Sequence, residues 1–147
     1  MPQAVPTSHR PTGAAELIEL FEAADIRRSS LIRVTGPSGL SALLWLCRHG
    51  FEQVGYQRAG FGPSEQPDAL LVAHTCDAAA LEHLLVAGPH VHDGGVLIFQ
   101  CAVPISAGLV AHLLETYGYR VERRLHGVRR DLYLARRCSS PRMLKAA

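Results

Sequence analysis

The chain is nearly without lysine: Lys145 is the one lysine, against 14 arginines. With no lysine before position 145, the GxxxxGK[ST] loop of nucleotide triphosphatases is excluded, because that loop needs a lysine on the phosphates. A GxGxxG dinucleotide fingerprint is also missing. The arginine bias is what a high-GC genome produces and is no sign of phosphate binding in itself. The four cysteines (Cys47, Cys76, Cys101, Cys138) contain no CxxC pair, so neither a zinc ribbon nor a dithiol redox motif is written here, and reduced thiols are expected. Aromatic residues make up only 6%. Tyr117, Tyr119 and Tyr133 are the aromatics among the C-terminal arginines, too few for a base-stacking platform. No apolar run approaches the ~18 residues that would span a bilayer. The first residues, MPQAVPTSHRPTG, are polar and proline-rich with no apolar stretch, unlike a secretory signal. A cytoplasmic protein without membrane contact is expected.

What remains is an ordinary folding composition. The chain has 147 residues, 48% hydrophobic and 19% charged, with mean hydropathy +0.08. A chain of this size buries one sizeable core, and the composition excludes disordered or collagen-like classes. The charge is uneven. Residues 1–117 carry six basic and eleven acidic side chains, a net −5, whereas residues 118–147 carry nine basic and two acidic, a net +7. The basic end reads either as a solvated face and tail or as a surface for an acidic partner such as a nucleic acid.

Periodicity divides the chain into a mobile arm over 1–12, a domain over 13–137 and a basic tail over 138–147. Thr12 or Gly13 starts a helix that runs to about Ile26, with Leu17, Leu20, Phe21 and Ala24 on one face. Residues 30–35 read as a strand ending at Gly36-Pro37-Ser38-Gly39. A helix follows from about Leu40 to His49, stopped by Gly50, then a strand over 51–57. Residues 58–67, with two glycines and two prolines, read as a loop. Residues 69–73 form a buried-type strand, and Asp77 caps a helix to about Val86. Residues 95–101 are a second buried strand. Ser106 to Tyr117 is an amphipathic helix with Leu109, Leu113 and Leu114 inward. Residues 119–125 and 129–136 alternate around His126-Gly127 as an antiparallel hairpin. Alternating strands and helices predict an α/β fold: a three-layer α/β/α sandwich around a mostly parallel sheet of about six strands.

This order resembles the class I S-adenosylmethionine-dependent methyltransferase fold. The likeness rests on Leu31–Leu40 (LIRVTGPSGL) as strand and glycine-rich turn, on Ala69–Ala73 and Asp93–Ile98 as the family's fourth and fifth strands, and on Leu113–Arg136 as its terminal helix and hairpin. It implies a cofactor at the carboxyl ends of the strands, with Gly36, Ser38, Gln57 and His74 at the cofactor-binding positions. It also exposes departures. The family's turn reads acid-x-G-x-G-x-G, but Val34 stands at the acidic position, Ser38 at the second glycine and Leu40 at the third. Gln57 replaces the acid that holds the ribose hydroxyls, a loss of about 1–2 kcal/mol. Only ten residues separate Gln57 from Asp68, fewer than the dozen a parallel crossover needs. The family's third strand is therefore expected to be missing, leaving strand order 2-1-4-5-7-6 in the family's naming and residues 51–57 as an edge strand, which either a second copy pairs or the 58–67 loop or the N-terminal arm covers.

Three side-chain groups invite chemistry. His74, Cys76 and Cys101 converge at the carboxyl ends of two strands and carry zinc-type or Cys–His nucleophile chemistry only if geometry brings them together. His90 and His92 alternate in a loop at the opposite end and read as surface residues. Arg33, inside a central strand, is expected either to snorkel past the first helix or to pair with an acid such as Glu16, Glu19 or Asp25. Trp45 is expected to pack against that helix. No catalytic or metal-ligating residue is assigned. The resulting expectation is a methyltransferase-like domain that is catalytically inactive and holds no cofactor tightly, acting through self-association along the 51–57 edge or through an unidentified protein partner. Two alternatives stay open: an active methyltransferase that binds S-adenosylmethionine in a shortened site, and a nucleic-acid-binding module using the C-terminal arginines.

Overall fold

In the computed structural model, residues 14–57, 66–102 and 105–138 are described. The proposed arm over 1–12, most of the 58–67 loop and the tail from 139 onward lie outside them. The elements run α1 (Ala14–Ala23), β1 (Leu31–Thr35), α2 (Gly39–Arg48), β2 (Gln53–Tyr56), β3 (Ala69–Cys76), α3 (Ala78–Ala87), β4 (Val96–Ala102), α4 (Ala107–Thr116), β5 (Tyr119–Leu125) and β6 (Arg130–Arg137). They build a six-stranded sheet in the order β2-β1-β3-β4-β6-β5. The β2–β1, β1–β3 and β3–β4 pairs are parallel, and β6 is antiparallel to both β4 and β5. In the family's naming this is 2-1-4-5-7-6, as the short Gln57–Asp68 spacing predicts.

Alternation along the strands splits the core into two layers. Ile32, Val34, Leu71, Ile98 and Leu134 face α1 and α2, with Leu20, Phe21 and Leu46 packed on them. Leu70, Val72, Leu97, Phe99 and Tyr133 face α3 and α4, with Leu81, Leu85, Val110 and Leu114 on that side. The Phe99 and Tyr133 rings stack at 5.2 Å across the β4–β6 pair. Each fully buried leucine here contributes about 1.5–3 kcal/mol relative to an exposed one, so these layers hold the sheet and the helices hold its ends.

Helix boundaries follow their caps. Asp77 and Ser106 accept hydrogen bonds from the Ala80 and Leu109 amides at 2.7 and 3.0 Å, satisfying first-turn donors. Gly50, at φ +87°, closes α2, and the Phe51 amide reaches back to the Leu46 carbonyl. The same motif explains two corrections. The first helix ends at Ala23, short of Ile26. Asp25 takes φ +66°, its amide bonds the Glu22 carbonyl, and the Ile26 amide bonds the Phe21 carbonyl, a Schellman stop built on an aspartate. The 51–57 strand shrinks to Gln53–Tyr56, because Phe51 is drawn into the end of α2 and meets Phe21 edge-on at 5.2 Å. Two further expectations change. β3 continues past Ala73 to Cys76, and in α4 the register set by the Ser106 cap buries Val110 and Leu114 while leaving Leu109 42% exposed.

Arg33 does not turn toward the first helix. It alternates to the face opposite Ile32 and Val34, away from the α1 layer. Its guanidinium lies along β2, where a Cβ on Gly55 would stand 3.1 Å from Nη1. Glycine at the paired position gives the long side chain its room.

Candidate functional site

The carboxyl ends of the parallel strands carry an open cleft of about 770 Å³. Its apolar lining includes Leu17 of α1, Ala42 and Trp45 of α2, Leu71 of β3 and Leu132 of β6. Its polar lining is Ser38 and Ser41 at the start of α2, His74 and Thr75 of β3, Gln100 of β4 and Arg130 of β6. A bulge shapes the floor. The register passes from Leu71↔Ile98 to Thr75↔Gln100, so β3 uses four residues where β4 uses two. The extra residues push Ala73 and His74 to the sheet's rim, a common device beside functional sites. Trp45 packs against the α1-side core, as expected, but its ring also stacks on His49 at 4.1 Å and borders the cleft.

Of the four positions the resemblance marks, Ser38 and His74 line the cleft, whereas Gly36 and Gln57 do not. Gln57 directly follows β2, its amide bonded to the Val34 carbonyl, and its side chain is 8% exposed. Gly36 sits at φ +106°, a conformation that favours glycine. A Cβ there would lie 2.6 Å from His74 Nδ1 and 3.1 Å from the Ala73 nitrogen. Gly39 is equally crowded, with Tyr56 Cε1 only 2.3 Å from where its Cβ would be, and the Tyr56 hydroxyl donates to the Gly36 carbonyl at 3.2 Å. Gly36 and Gly39 are thus each closed in by a side chain of this chain. Ser38 is the N-cap of α2, yet its side chain makes no capping hydrogen bond.

His74, Cys76 and Cys101 do converge, without forming a reactive set. His74 Nε2 lies 3.9 Å from Cys76 Sγ, and its Nδ1 is buried with no hydrogen-bond partner among the described residues. Cys76 and Cys101 are register partners inside the α3–α4 layer. Burial pushes their thiols up to about 11 and about 12, so both stay protonated near neutral pH and a thiolate nucleophile is disfavoured. Among the described residues no three His, Cys, Asp or Glu side chains gather as a metal site would require. His90 and His92 diverge: His90 Nε2 meets the Leu85 carbonyl at 2.9 Å, while His92 bridges Asp68 and the Asp93 carbonyl, both at 2.6 Å.

Three of the C-terminal arginines are tied to acids. Arg124 donates to Asp131 at 2.9 and 3.1 Å, Arg136 to Glu122 at 2.8 Å, and Arg137 approaches Asp93 at 3.7 Å. Arg130 differs. It makes no ion pair among the described residues, and its Nη1 meets the Thr75 hydroxyl at 3.3 Å. Residue-level reading missed Arg130 as a cleft residue. Its signal was the antiparallel return of β6, which sets Arg130 opposite Ala102 at the carboxyl end of β4.

No protein-family model matches the chain, and no curated protein matches its sequence. Solved structures do match its fold. A ribosomal protein L11 methylase from Lactobacillus delbrueckii subsp. bulgaricus superposes with a TM-score of 0.58 at 13% identity, covering 85% of this chain and 79% of that one. The putative methyltransferase yhhF from Escherichia coli gives 0.54 at 12% identity over 93% and 92% of the two chains. CalS10, an amino pentose methyltransferase from Micromonospora echinaspora solved with S-adenosylmethionine bound, gives 0.54 at 13% over 88% and 93%. The chain therefore has the class I methyltransferase-like Rossmann fold. Among the described residues no helix is long and apolar enough to cross a membrane.

Proposed function

We propose that this chain is a methyltransferase-like binding domain that does not hold S-adenosylmethionine tightly and does not transfer methyl groups. The observation that carries this reading is the glycine turn. In this fold class, glycines there let the backbone approach a cofactor. Here Gly36, the one motif glycine kept, is packed by His74, Ser38 and Leu40 stand at the other two glycine positions, Gln57 is buried outside the cleft, and Val34 stands where an acid would be. These residues fit the cofactor poorly at both its amino-acid and ribose ends. The cleft beside them is the binding surface we assign.

Self-association through the sheet edge accompanies this reading. β2 stands last in the sheet order. Leu40 and Leu44, one turn apart on α2, are 66% and 47% exposed, and Tyr56 is 48% exposed. A strand edge flanked by apolar side chains favours pairing with a second copy.

Calorimetric titration with S-adenosylmethionine and S-adenosylhomocysteine, with solution mass recorded alongside, tests both parts. No heat of binding at millimolar ligand and a dimer mass are expected. Micromolar binding overturns the first part, and a monomer across the concentration range overturns the second. One observation favours the alternative of an active methyltransferase: Ser38 and His74, two of the four cofactor positions, do line the cleft.

A further inference from the structure

The cleft is amphipathic and its charge is one-sided. Among the described residues its lining contains no aspartate or glutamate, and Arg130 is the one permanently charged residue there. The carboxylate next in sequence, Asp131, alternates to the other face of β6 and is held by Arg124. Arg130 thus keeps a neutral neighbour, the Thr75 hydroxyl, while Arg124, Arg136 and Arg137 each have an acid. Arg130 is exposed at the open cleft, and a cation placed there raises the local concentration of anions. The same lining includes Leu17, Trp45 and Leu132 as apolar surface, Leu132 two residues from Arg130 on β6, and concave, mostly apolar clefts with a few convergent polar groups are how small-molecule sites are built.

We propose that the cleft binds a small organic anion: an apolar body laid against Trp45, Leu17 and Leu132, with one terminal oxyanion taken by Arg130. The guanidinium's planar fork suits a carboxylate or a phosphate monoester, either of which accepts two parallel N–H bonds. The Thr75 hydroxyl, already within reach of Arg130, adds a donor. This inference rests on reading the cleft as a binding surface, and it does not depend on whether the cofactor binds.

The chain supplies its own reporter, because Trp45 is the single tryptophan and borders the cleft. The full chain is titrated with 4-phenylbutyrate, with the neutral 4-phenyl-1-butanol, and with phenyl phosphate, while Trp45 emission is followed. The acid should shift the emission saturably and bind about tenfold more tightly than the alcohol. Arg130→Gln should weaken the acid about tenfold and leave the alcohol unchanged. Arg129→Gln, one residue away and outside the lining, should change neither. Arg130→Lys keeps the charge without the fork; it should fall between wild type and Arg130→Gln, and it serves in place of Arg130→Gln if that variant melts early. The relative strength of phenyl phosphate assigns the oxyanion as carboxylate or phosphate. Equal binding of acid and alcohol, equal effects of Arg129→Gln and Arg130→Gln, or no saturable signal up to the solubility limit each overturn the proposal. Cofactor binding seen by calorimetry would overturn the proposed function and leave this result standing.

Discussion

The hydroxyl of Tyr56 donates to the Gly36 carbonyl at 3.2 Å while its ring occupies the space a Cβ on Gly39 would need. The last residue of β2 thereby closes over the turn that joins β1 to α2. In an ordinary helix first turn, Gly39→Ala would stabilise by up to about 1 kcal/mol, since alanine loses less backbone entropy. Here the added methyl meets an aromatic ring at 2.3 Å. Gly39→Ala is therefore expected to cost about 1–3 kcal/mol, and in a Tyr56→Ala background to become neutral or stabilising. Urea denaturation of the four proteins of this double-mutant cycle measures the coupling. Additive effects would mean that the ring swings away freely and the turn is not filled.

The thiols give a second expectation. Cys76 and Cys101 are buried, and loss of hydration on burial is the first cause of their raised pKa values, about 11 and about 12. Cys47 is exposed on α2. With iodoacetamide at neutral pH, peptide mass mapping should find Cys47 alkylated first, and Cys76 and Cys101 untouched until the protein is unfolded. Rapid labelling of Cys76 in the folded chain would reopen the Cys–His reading with His74.

Much of the architecture was legible before any coordinates. The strand order followed from one distance along the chain, Gln57 to Asp68, because a parallel crossover has a minimum length. The Asp77 cap is legible because capping is a local bond. What stayed hidden depends on contacts remote in sequence. Ser38 and His74 line the cleft at the strand ends that the topology points to, but nothing local says that Tyr56 folds over Gly39 or that Arg130 arrives beside Thr75, 55 residues away. The α1 stop was hidden for a different reason: Asp25 adopts a conformation that composition rules assign to glycine.

At the opposite end of the sheet, His92 ties three elements together. Its ring bonds Asp68 and the Asp93 carbonyl, while the other Asp68 oxygen accepts the Leu31 amide at 2.7 Å. With an acceptor at each nitrogen, the imidazolium is favoured and the pKa rises above 6.5, first through the Asp93 backbone bond and then through Asp68. The folded-state value lies above the unfolded one. The clasp therefore contributes fully below the unfolded value near 6.5 and is lost as pH rises through the folded value. Both side chains are about two-fifths exposed, so solvent limits the contribution to about 0.5–1 kcal/mol. Wild type should lose that much relative to His92→Asn as pH rises through this window, measured by denaturation at each pH. Parallel pH curves for the two proteins would refute the clasp.

The hairpin that carries Arg130 hangs on Asp131. This carboxylate is 3% exposed. One oxygen accepts two bonds from Arg124, at 2.9 and 3.1 Å, and the other accepts the Gly127 amide at 3.3 Å with His126 Nδ1 at 3.5 Å. Every one of these partners lies in β5 or in the turn, so the carboxylate fixes how the turn closes and where β6 begins. Asp131→Ala removes the acceptor and strands the Gly127 amide. It should cost on the order of 2–3 kcal/mol and lower the melting temperature by about 5–10 °C. Because Arg130 is the next residue and faces the cleft, the same variant should also lose amide protection across 126–130 and weaken 4-phenylbutyrate binding, whereas an equally destabilising core change such as Leu81→Ala, in the α3 layer, should leave that binding intact. If both variants weaken it equally, Asp131 supports the fold in general and does not place Arg130.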